Sequence, residues 1–389
     1  MTLYLYLIST AYVGISLGFM LFKHATMLIE TKKRMQEERI DYEPTIAIIV
    51  PCYNENEDDL TKCLYSCLIN NYEKKVVYAI NDGSTNNTKQ VLKKIYKIHP
   101  ELIVINSRKN QGKKEAMYKA IKKTKEQIIV CVDSDTIVHN GDSIRELVKP
   151  FNNTKVNAVS GNTRATNHKT NWLTKMQAGR YALAYDLEKS GQSLYGSVTC
   201  CPGCYSAYRR ISVNKVLSKW RKQTVLGVNT SYGDDRSLTR LILVTGGEVA
   251  YAPNAVAYTN VPEQITSFVK QQVRWKRSFF TEHYFLAADI NKIRYMARVE
   301  LVWFTFVWFF GLLAKAILIY SLYAGFITLS QTLLLYASFS LVHYAYVIIR
   351  YPGVLGLWGA AYTFLNDITI EWLTLYSLFT LKETRWGTR

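Results

Sequence analysis

Two carboxylates one residue apart, Asp133 and Asp135, close the apolar run Ile128-Ile-Val-Cys-Val132. A short, mostly β-branched run of this kind reads as a fully buried strand. Carboxylates at the carboxyl end of a buried parallel strand lie where open α/β sheets bind their ligands. Side by side they repel unless a cation sits between them, and hard oxygen donors suit Mg²⁺ or Mn²⁺. A second acidic pair, Asp234-Asp235, runs directly into Arg236, and such neighbours make a carboxylate's proton affinity tunable. Gln111-Gly-Lys-Lys-Glu-Ala116 opens an expected helix with two lysines, which opposes the helix macrodipole. A diphosphate bound there converts that cost into attraction. The plain alternatives are a solvated turn, a charged helix start and a surface lysine pair. Cys201-Pro-Gly-Cys204 has the C-x-x-C spacing of redox or zinc sites. No second such pair completes a zinc site, and no strand-to-helix start positions a thiolate.

The elements that must position these residues alternate. Ile46–Val50 reads as a strand entering Pro51-Cys-Tyr-Asn-Glu55, and Val76–Ile80 as one stopping at Asn81-Asp-Gly-Ser84. Leu102–Ile105 is a third strand, and the run ending at Asp133 a fourth. Helix-length segments lie between them, as in a doubly wound parallel sheet. The strand ends then present Tyr53, Asp82 and Asp133 along one crevice. No G-x-G-x-x-G or Walker loop follows any strand, which argues against NAD, FAD and P-loop chemistry.

The chain has 389 residues, and 48 Lys+Arg against 30 Asp+Glu give a net charge of +18. The lysines are spread out rather than gathered in an arm or helix, so nucleic acid is not the expected partner. Seven cysteines in this length make no disulfide framework and fit a reduced, cytosolic setting. Leu3–Phe22 is apolar over a bilayer-spanning length and lacks a cleavage signal, so residues 1–28 are expected to stay as an amino-terminal membrane helix. Lys23, Lys32, Lys33, Arg34 and Arg39 follow it, which puts the next domain on the cytosolic side of a multi-pass plasma-membrane protein. Further apolar stretches lie at Val299–Ile327, Leu329–Ile349 and Val354–Leu381. Lys382, Arg385 and Arg389 also belong on the cytosolic side, so the last stretch is expected to enter and return, bent near Asn366-Asp367, or to lie at the interface. Asn171–Lys189 and Gln264–Val299 mix aromatic and basic residues as interfacial helices do. Lys315, Asp367 and Glu371 fall inside apolar segments, where charge usually faces a water-filled path.

Pro51-Cys-Tyr-Asn-Glu55, Asn81-Asp-Gly-Ser84, Gly112-Lys113, Asp133-Ser-Asp135, Gly233-Asp-Asp-Arg236 and Gln271-Gln-Val-Arg-Trp275 occur in the order of the processive family 2 glycosyltransferases. Within these the chain resembles the hyaluronan synthases. Arg180-Tyr181, Glu188, Gln192-Ser193, Tyr208-Arg209, the run to Thr239 and the ending Trp386-Gly-Thr-Arg389 carry that likeness, over roughly residues 44–389. The resemblance implies a GT-A-type, Rossmann-like cytosolic catalytic domain at 44–262, interfacial helices at 263–298, a membrane region at 299–382 and a gating tail at 383–389. It implies an enzyme that polymerises UDP-sugars, hyaluronan from UDP-GlcA and UDP-GlcNAc, and threads the polysaccharide outward past membrane lipids. Carried over residue by residue, Tyr53, Glu55 and Asp82 would hold uridine and Lys113 the diphosphate. Asp133 and Asp135 would bind nucleotide and its Mg²⁺ or Mn²⁺, and Asp235 would be the general base. Gln271, Gln272 and Arg274 would line the diphosphate and acceptor region, with Asp234 and Trp275 on the acceptor side. Trp386 and Arg389 would close over the nucleotide.

Inverting transfer is a single displacement, so it needs one base and a stabilised leaving group. Asn81 stands where the family has Asp, and only one amino-terminal membrane helix is evident. Cys200-Cys-Pro-Gly-Cys204 departs from the hyaluronan-synthase pattern toward chitin-oligomer and pneumococcal-type capsule synthases. Chitin-like or other capsule polymers, or single-sugar transfer to a lipid, therefore stay open beside hyaluronan, whereas the retained Asp133, Asp135, Asp235, Arg274 and Trp275 disfavour a catalytically dead membrane scaffold or nucleic-acid-associated protein.

Overall fold

The computed structural model describes residues 2–36, 42–139, 141–230, 232–351 and 353–383. Ten strands are present among them: β1 Ile46–Cys52, β2 Lys75–Asn81, β3 Ile103–Asn106, β4 Ile128–Val132, β5 Thr136–Val138, β6 Val156–Ala165, β7 Tyr205–Arg209, β8 Thr224–Val225, β9 Val228–Asn229 and β10 Glu248–Thr259. Eight form one sheet in the order β3-β2-β1-β4-β7-β6-β10-β5, while β8 and β9 make a separate hairpin. The four strands read from the sequence are there, and β1 pairs in parallel with both β2 and β4.

The sheet is mixed rather than parallel throughout. β7 lies between β4 and β6 and runs antiparallel to both. The reason is where β7 begins. Tyr205 pairs with Val132, the last residue of β4, because the preceding Cys200–Cys204 loop is seated at that strand's carboxyl end. A strand that starts there has to run back toward the amino end of β4. β10 is parallel to β6, and the short β5 closes the edge antiparallel to β10.

Apolar layers cover both faces of the sheet, as a strand buried on both sides requires. Helices Glu57–Leu68, Thr88–Ile98 and Ser143–Val148 pack Leu60, Leu64, Leu92 and Ile144 on one face. Helices Lys113–Lys123, Arg210–Arg221 and Asp234–Val244 pack Met117, Val213, Trp220 and Leu241 on the other.

Outside the sheet, the amino-terminal helix extends over Thr2–Gln36, beyond the apolar run that marks its start. Helix Trp172–Ala182 continues into a π-helix at Leu183–Lys189 and a short turn at Ser190–Ser193. Helix Ile265–Ala288 carries the Gln-Gln-Val-Arg-Trp run, and helix Tyr295–Tyr323 follows. Among the described residues Tyr295–Tyr323 alone is long and apolar enough to cross a membrane. The next apolar stretch is broken at Tyr344 into helices Leu329–His343 and Ala345–Arg350. The last is broken at Thr369, between helix Leu355–Ile368 and a 3₁₀ turn at Ile370–Trp372 that leads into helix Leu373–Phe379. Its two arms pack on helices Trp172–Ala182 and Ile265–Ala288. Gly179 meets the Gly359 backbone so closely that a Cβ there would sit 2.4 Å from its nitrogen. The second arm is tied through Lys276, which donates to Thr374 at 2.9 Å.

Candidate active site

The acidic end of β4 is the floor of the site. The Asp133 carbonyl accepts from Thr136 N–H at 2.9 Å, which turns the chain sharply and projects both carboxylates. Lys113 Nζ donates to Asp133 Oδ1. The Asp135 carboxylate accepts from Thr259 at 3.3 Å, so the end of β10 supports it.

Lys113 reaches this position because the loop before its helix is strapped down. The N–H groups of Gln111 and Gly112 donate to Asp82 Oδ2 at 3.0 and 2.7 Å. Asp82 Oδ1 is buried without a hydrogen-bond partner. Gly83, at φ +71°, abuts the Lys109 backbone, where a Cβ would come within 2.4 Å. Tyr53 N–H donates to Glu55 Oε1 at 2.8 Å, so that carboxylate folds back onto its own loop. Asn81 is buried; its side chain accepts from Ser84 N–H and donates to Asn106, each at 3.0 Å. A carboxylate could not make the second of these bonds. The departure at Asn81 thus braces β2 against β3.

Asp234 and Asp235 begin helix Asp234–Val244, where acidic side chains complement the helix N-terminus. Trp220 Nε1 holds the Asp234 carbonyl at 2.8 Å. Asp235 Oδ1 accepts from Arg236 N–H at 2.7 Å, and Oδ2 from Gly203 N–H at 3.2 Å. Gly203 also lies against the other acidic centre, since a Cβ there would stand 2.8 Å from Lys113 Nζ and 3.4 Å from Asp133 Oδ1. One glycine therefore separates the base candidate from the metal-ligand candidate. Asp133 and Asp235 thus lie against the same glycine.

Helix Ile265–Ala288 forms the opposite wall. Gln271, Arg274 and Ser278 recur at helical spacing, and Ser278 meets Gly233. Arg274 is half-buried within the electrostatic reach of Asp234, Asp235 and Asp133. Burial pulls its proton affinity down, and those carboxylates oppose the fall. Gln271 Oε1 is buried with no partner. Gln272 is turned aside, accepting from the Tyr362 hydroxyl at 3.3 Å on helix Leu355–Ile368. Trp275 is 40% exposed, at the rim. Trp386 and Arg389 lie outside the described residues. The chain leading to them is anchored at the site: Tyr232 OH donates to the Leu381 carbonyl at 2.7 Å, and Arg277 to Glu383 at 2.6 Å.

The electrostatics follow from this crowding. Burial disfavours the charge on Lys113, but Asp133, Asp234 and Asp235 outweigh it and raise its pKa. Burial pushes Asp234 up; Lys113 pulls it back while Asp235 and Asp133 push it further. The C-x-x-C thiols are free, and burial pushes Cys201 and Cys204 up to about 12. Burial thus works against the thiolate that redox or zinc chemistry needs.

The sequence assigned no role at the site to three contributors. Tyr181 is half-buried near Cys204, Asp135 and Arg274. Lys189 Nζ donates to the Cys200 carbonyl, holding the loop that carries Gly203. Asp186 takes both carboxylate oxygens to Arg164, at 2.8 and 2.7 Å. The unusual Cys200–Cys204 loop was the signal that led nearest to them.

Among the described residues no three His, Cys, Asp or Glu side chains gather into a metal cage. The donor set at Asp133 and Asp135 is all hard oxygen. That suits an ion such as Mg²⁺ or Mn²⁺, which keeps part of its shell for water and phosphate.

The family model described as glycosyl transferase family 2 matches residues 47–217. A hyaluronan synthase of Streptococcus pyogenes serotype M1 is 34% identical over 354 residues, covering 88% of this chain and 83% of that protein. An N-acetylglucosaminyltransferase of Azorhizobium caulinodans is 34% identical over 250 residues, covering 64% of this chain and 63% of that protein. Among solved structures, a mannosyltransferase from Pyrobaculum calidifontis, in complex with GDP-Man and Mn²⁺, superposes with a TM-score of 0.60. It is 19% identical, and the match covers 96% of this chain and 99% of that one. The mixed sheet is accordingly a GT-A fold.

Proposed function

The chain belongs to glycosyl transferase family 2, and from that premise we propose that it polymerises UDP-sugars into a β-linked polysaccharide and passes the product through its membrane helices. The favoured product is hyaluronan, from UDP-GlcA and UDP-GlcNAc, which fits the similarity to the streptococcal enzyme over most of both chains. A chitin-like product is the second reading, supported by the N-acetylglucosaminyltransferase similarity and by the Cys200–Cys204 loop.

The observation that carries the chemistry is Gly203, whose N–H meets Asp235 while its Cα packs on the Lys113–Asp133 pair. A donor held at Asp133 thus has its anomeric carbon within reach of a hydroxyl held at Asp235. Asp235 removes the proton from that hydroxyl, a contribution of about 10²–10⁴ in rate for a positioned base. Lys113 and Arg274 offset the charge that grows on the departing UDP. A Mg²⁺ or Mn²⁺ ion held by Asp133 and Asp135 would supply further neutralisation of the diphosphate. Tyr53, Glu55 and Asp82 shape the nucleoside end, and Trp275 offers the acceptor sugar an apolar face. Trp386 and Arg389, carried by a chain anchored at Tyr232 and Arg277, would cover the nucleotide.

The catalytic domain faces the cytosol in this reading. Helices Thr2–Gln36 and Tyr295–Tyr323 cross the plasma membrane, and the broken helices after Tyr344 line the polymer's exit. Purified protein with Mn²⁺ and each UDP-sugar, singly and in pairs, tests the reading by UDP release and product length. Growth only with the UDP-GlcA and UDP-GlcNAc pair supports hyaluronan; growth with UDP-GlcNAc alone replaces it with a chitin-like polymer. Asp235→Asn should abolish transfer while UDP still binds, and unchanged turnover would remove Asp235 from its role.

A further inference from the structure

The Lys113–Asp133 contact does more than lie in wait for a diphosphate. It occupies the carboxylate that the proposed function assigns to the divalent ion. The helix start behind Lys113 is already satisfied, because Asp82 takes the Gln111 and Gly112 N–H groups. Only the flexible lysine side chain therefore has to move for Asp133 to be released. Gly203 walls the pair on one side, its backbone so near that even a Cβ would stand 2.8 Å from the ammonium. Asp234 and Asp235 act on the same ammonium, so it has alternative carboxylates to turn to.

We propose that Lys113 is the resident counter-ion of Asp133, withholding that carboxylate from a free divalent cation until a nucleoside diphosphate takes over the ammonium. This deepens the glycosyltransferase reading and rests on its assignment of Asp133 to the cation. Cation and nucleotide then bind as a coupled pair, and linkage makes the coupling equal in both directions. Lys113 is thus a positioning residue for the ion as well as a contact for the donor.

The test is Mn²⁺ binding by the purified full-length protein in detergent, read by electron paramagnetic resonance, with and without UDP. The wild type should bind Mn²⁺ weakly alone and at least tenfold more tightly with UDP. Lys113→Met should bind Mn²⁺ alone at least tenfold more tightly than wild type, and its gain from UDP should shrink. Lys113→Arg, which keeps the charge, should bind Mn²⁺ alone as weakly as wild type. Equal affinity of wild type and Lys113→Met for Mn²⁺ alone would overturn the role of Lys113, with the metal site itself intact. If adding Asp133→Asn to Lys113→Met leaves Mn²⁺ binding unchanged, the ion sits elsewhere, and the metal assignment falls together with the proposal.

Discussion

Gly233 is where the helix carrying both acidic residues meets the helix carrying Arg274. It adopts φ +70° and caps helix Asp234–Val244. A Cβ built there would stand 2.1 Å from Ser278 Oγ, 2.8 Å from Ser278 Cβ and 3.5 Å from its Cα. The hydroxyl can rotate away, but the Cβ and backbone of a buried helix cannot. Gly233→Ala should therefore carry a left-handed backbone cost of roughly 1–2 kcal/mol and an overpacking cost of about 1–3 kcal/mol. Together they amount to about 2–5 kcal/mol. Part of this will be relieved by moving the helices apart, and a shift of about 1 Å at the reacting groups costs on the order of 10²-fold in rate. Thermal unfolding in detergent and single-turnover transfer measure the two consequences separately. Ser278→Gly removes the obstructing Cβ at a helix-propensity cost of about 0.5–1 kcal/mol. In the double variant it should recover about 1–3 kcal/mol and much of the rate. Effects that simply add, within about 0.5 kcal/mol, would refute the claim that this contact sets the helix separation.

Two other contacts give sharp expectations. Arg240 and Glu282 pair at 2.6 Å with side chains 4% and 5% exposed. Glu282→Ala takes the nearest carboxylate from a buried guanidinium, leaving it Asp289 at 3.7 Å and Gln223 at 3.2 Å, and should cost on the order of 3 kcal/mol, much of it regained when Arg240→Met is added. A loss under about 1 kcal/mol in unfolding experiments would contradict that burial. Burial favours the neutral form of Glu188, but Arg180, with help from Lys23, wins and holds its pKa at about 2. A depressed carboxylate pKa adds stability above the unfolded value that is lost as pH falls through the folded one. Acid titration of the melting temperature from pH 5 toward 2 should thus show a component on the order of 3 kcal/mol that Glu188→Gln lacks. Parallel pH profiles for the two proteins would count against the pairing.

The nucleotide half of the fold was legible because each of its strands is a short apolar run closed by a polar turn. Ile46–Val50 and Ile128–Val132 are buried on both faces, so local composition decides what they are. β7 was not legible. Tyr-Ser-Ala-Tyr-Arg is unremarkable by pattern, and its antiparallel direction depends on where the Cys200–Cys204 loop is seated, which is a long-range fact. The acidic motifs stand out in the sequence as residues, whereas their meeting through Gly203 and the turning aside of Gln272 toward Tyr362 depend on tertiary packing.

The π-helix at Leu183–Lys189 explains how the Cys200–Cys204 loop is held beside Asp235. In an α-helix Asp186 and Lys189, three residues apart, would share a face. The wider π turn rotates them apart, and such turns are frequent at functional sites. Asp186 consequently reaches Arg164 on β6 and the Tyr351 hydroxyl beyond helix Ala345–Arg350. Glu188 faces Arg180, and Lys189 turns the other way to the Cys200 carbonyl. The loop that orients Asp235 is thereby tied through one short segment both to the sheet and to the last apolar helices. Where those helices stand is transmitted to Asp235 through these bonds, so the sheet and the last apolar segments are mechanically one unit.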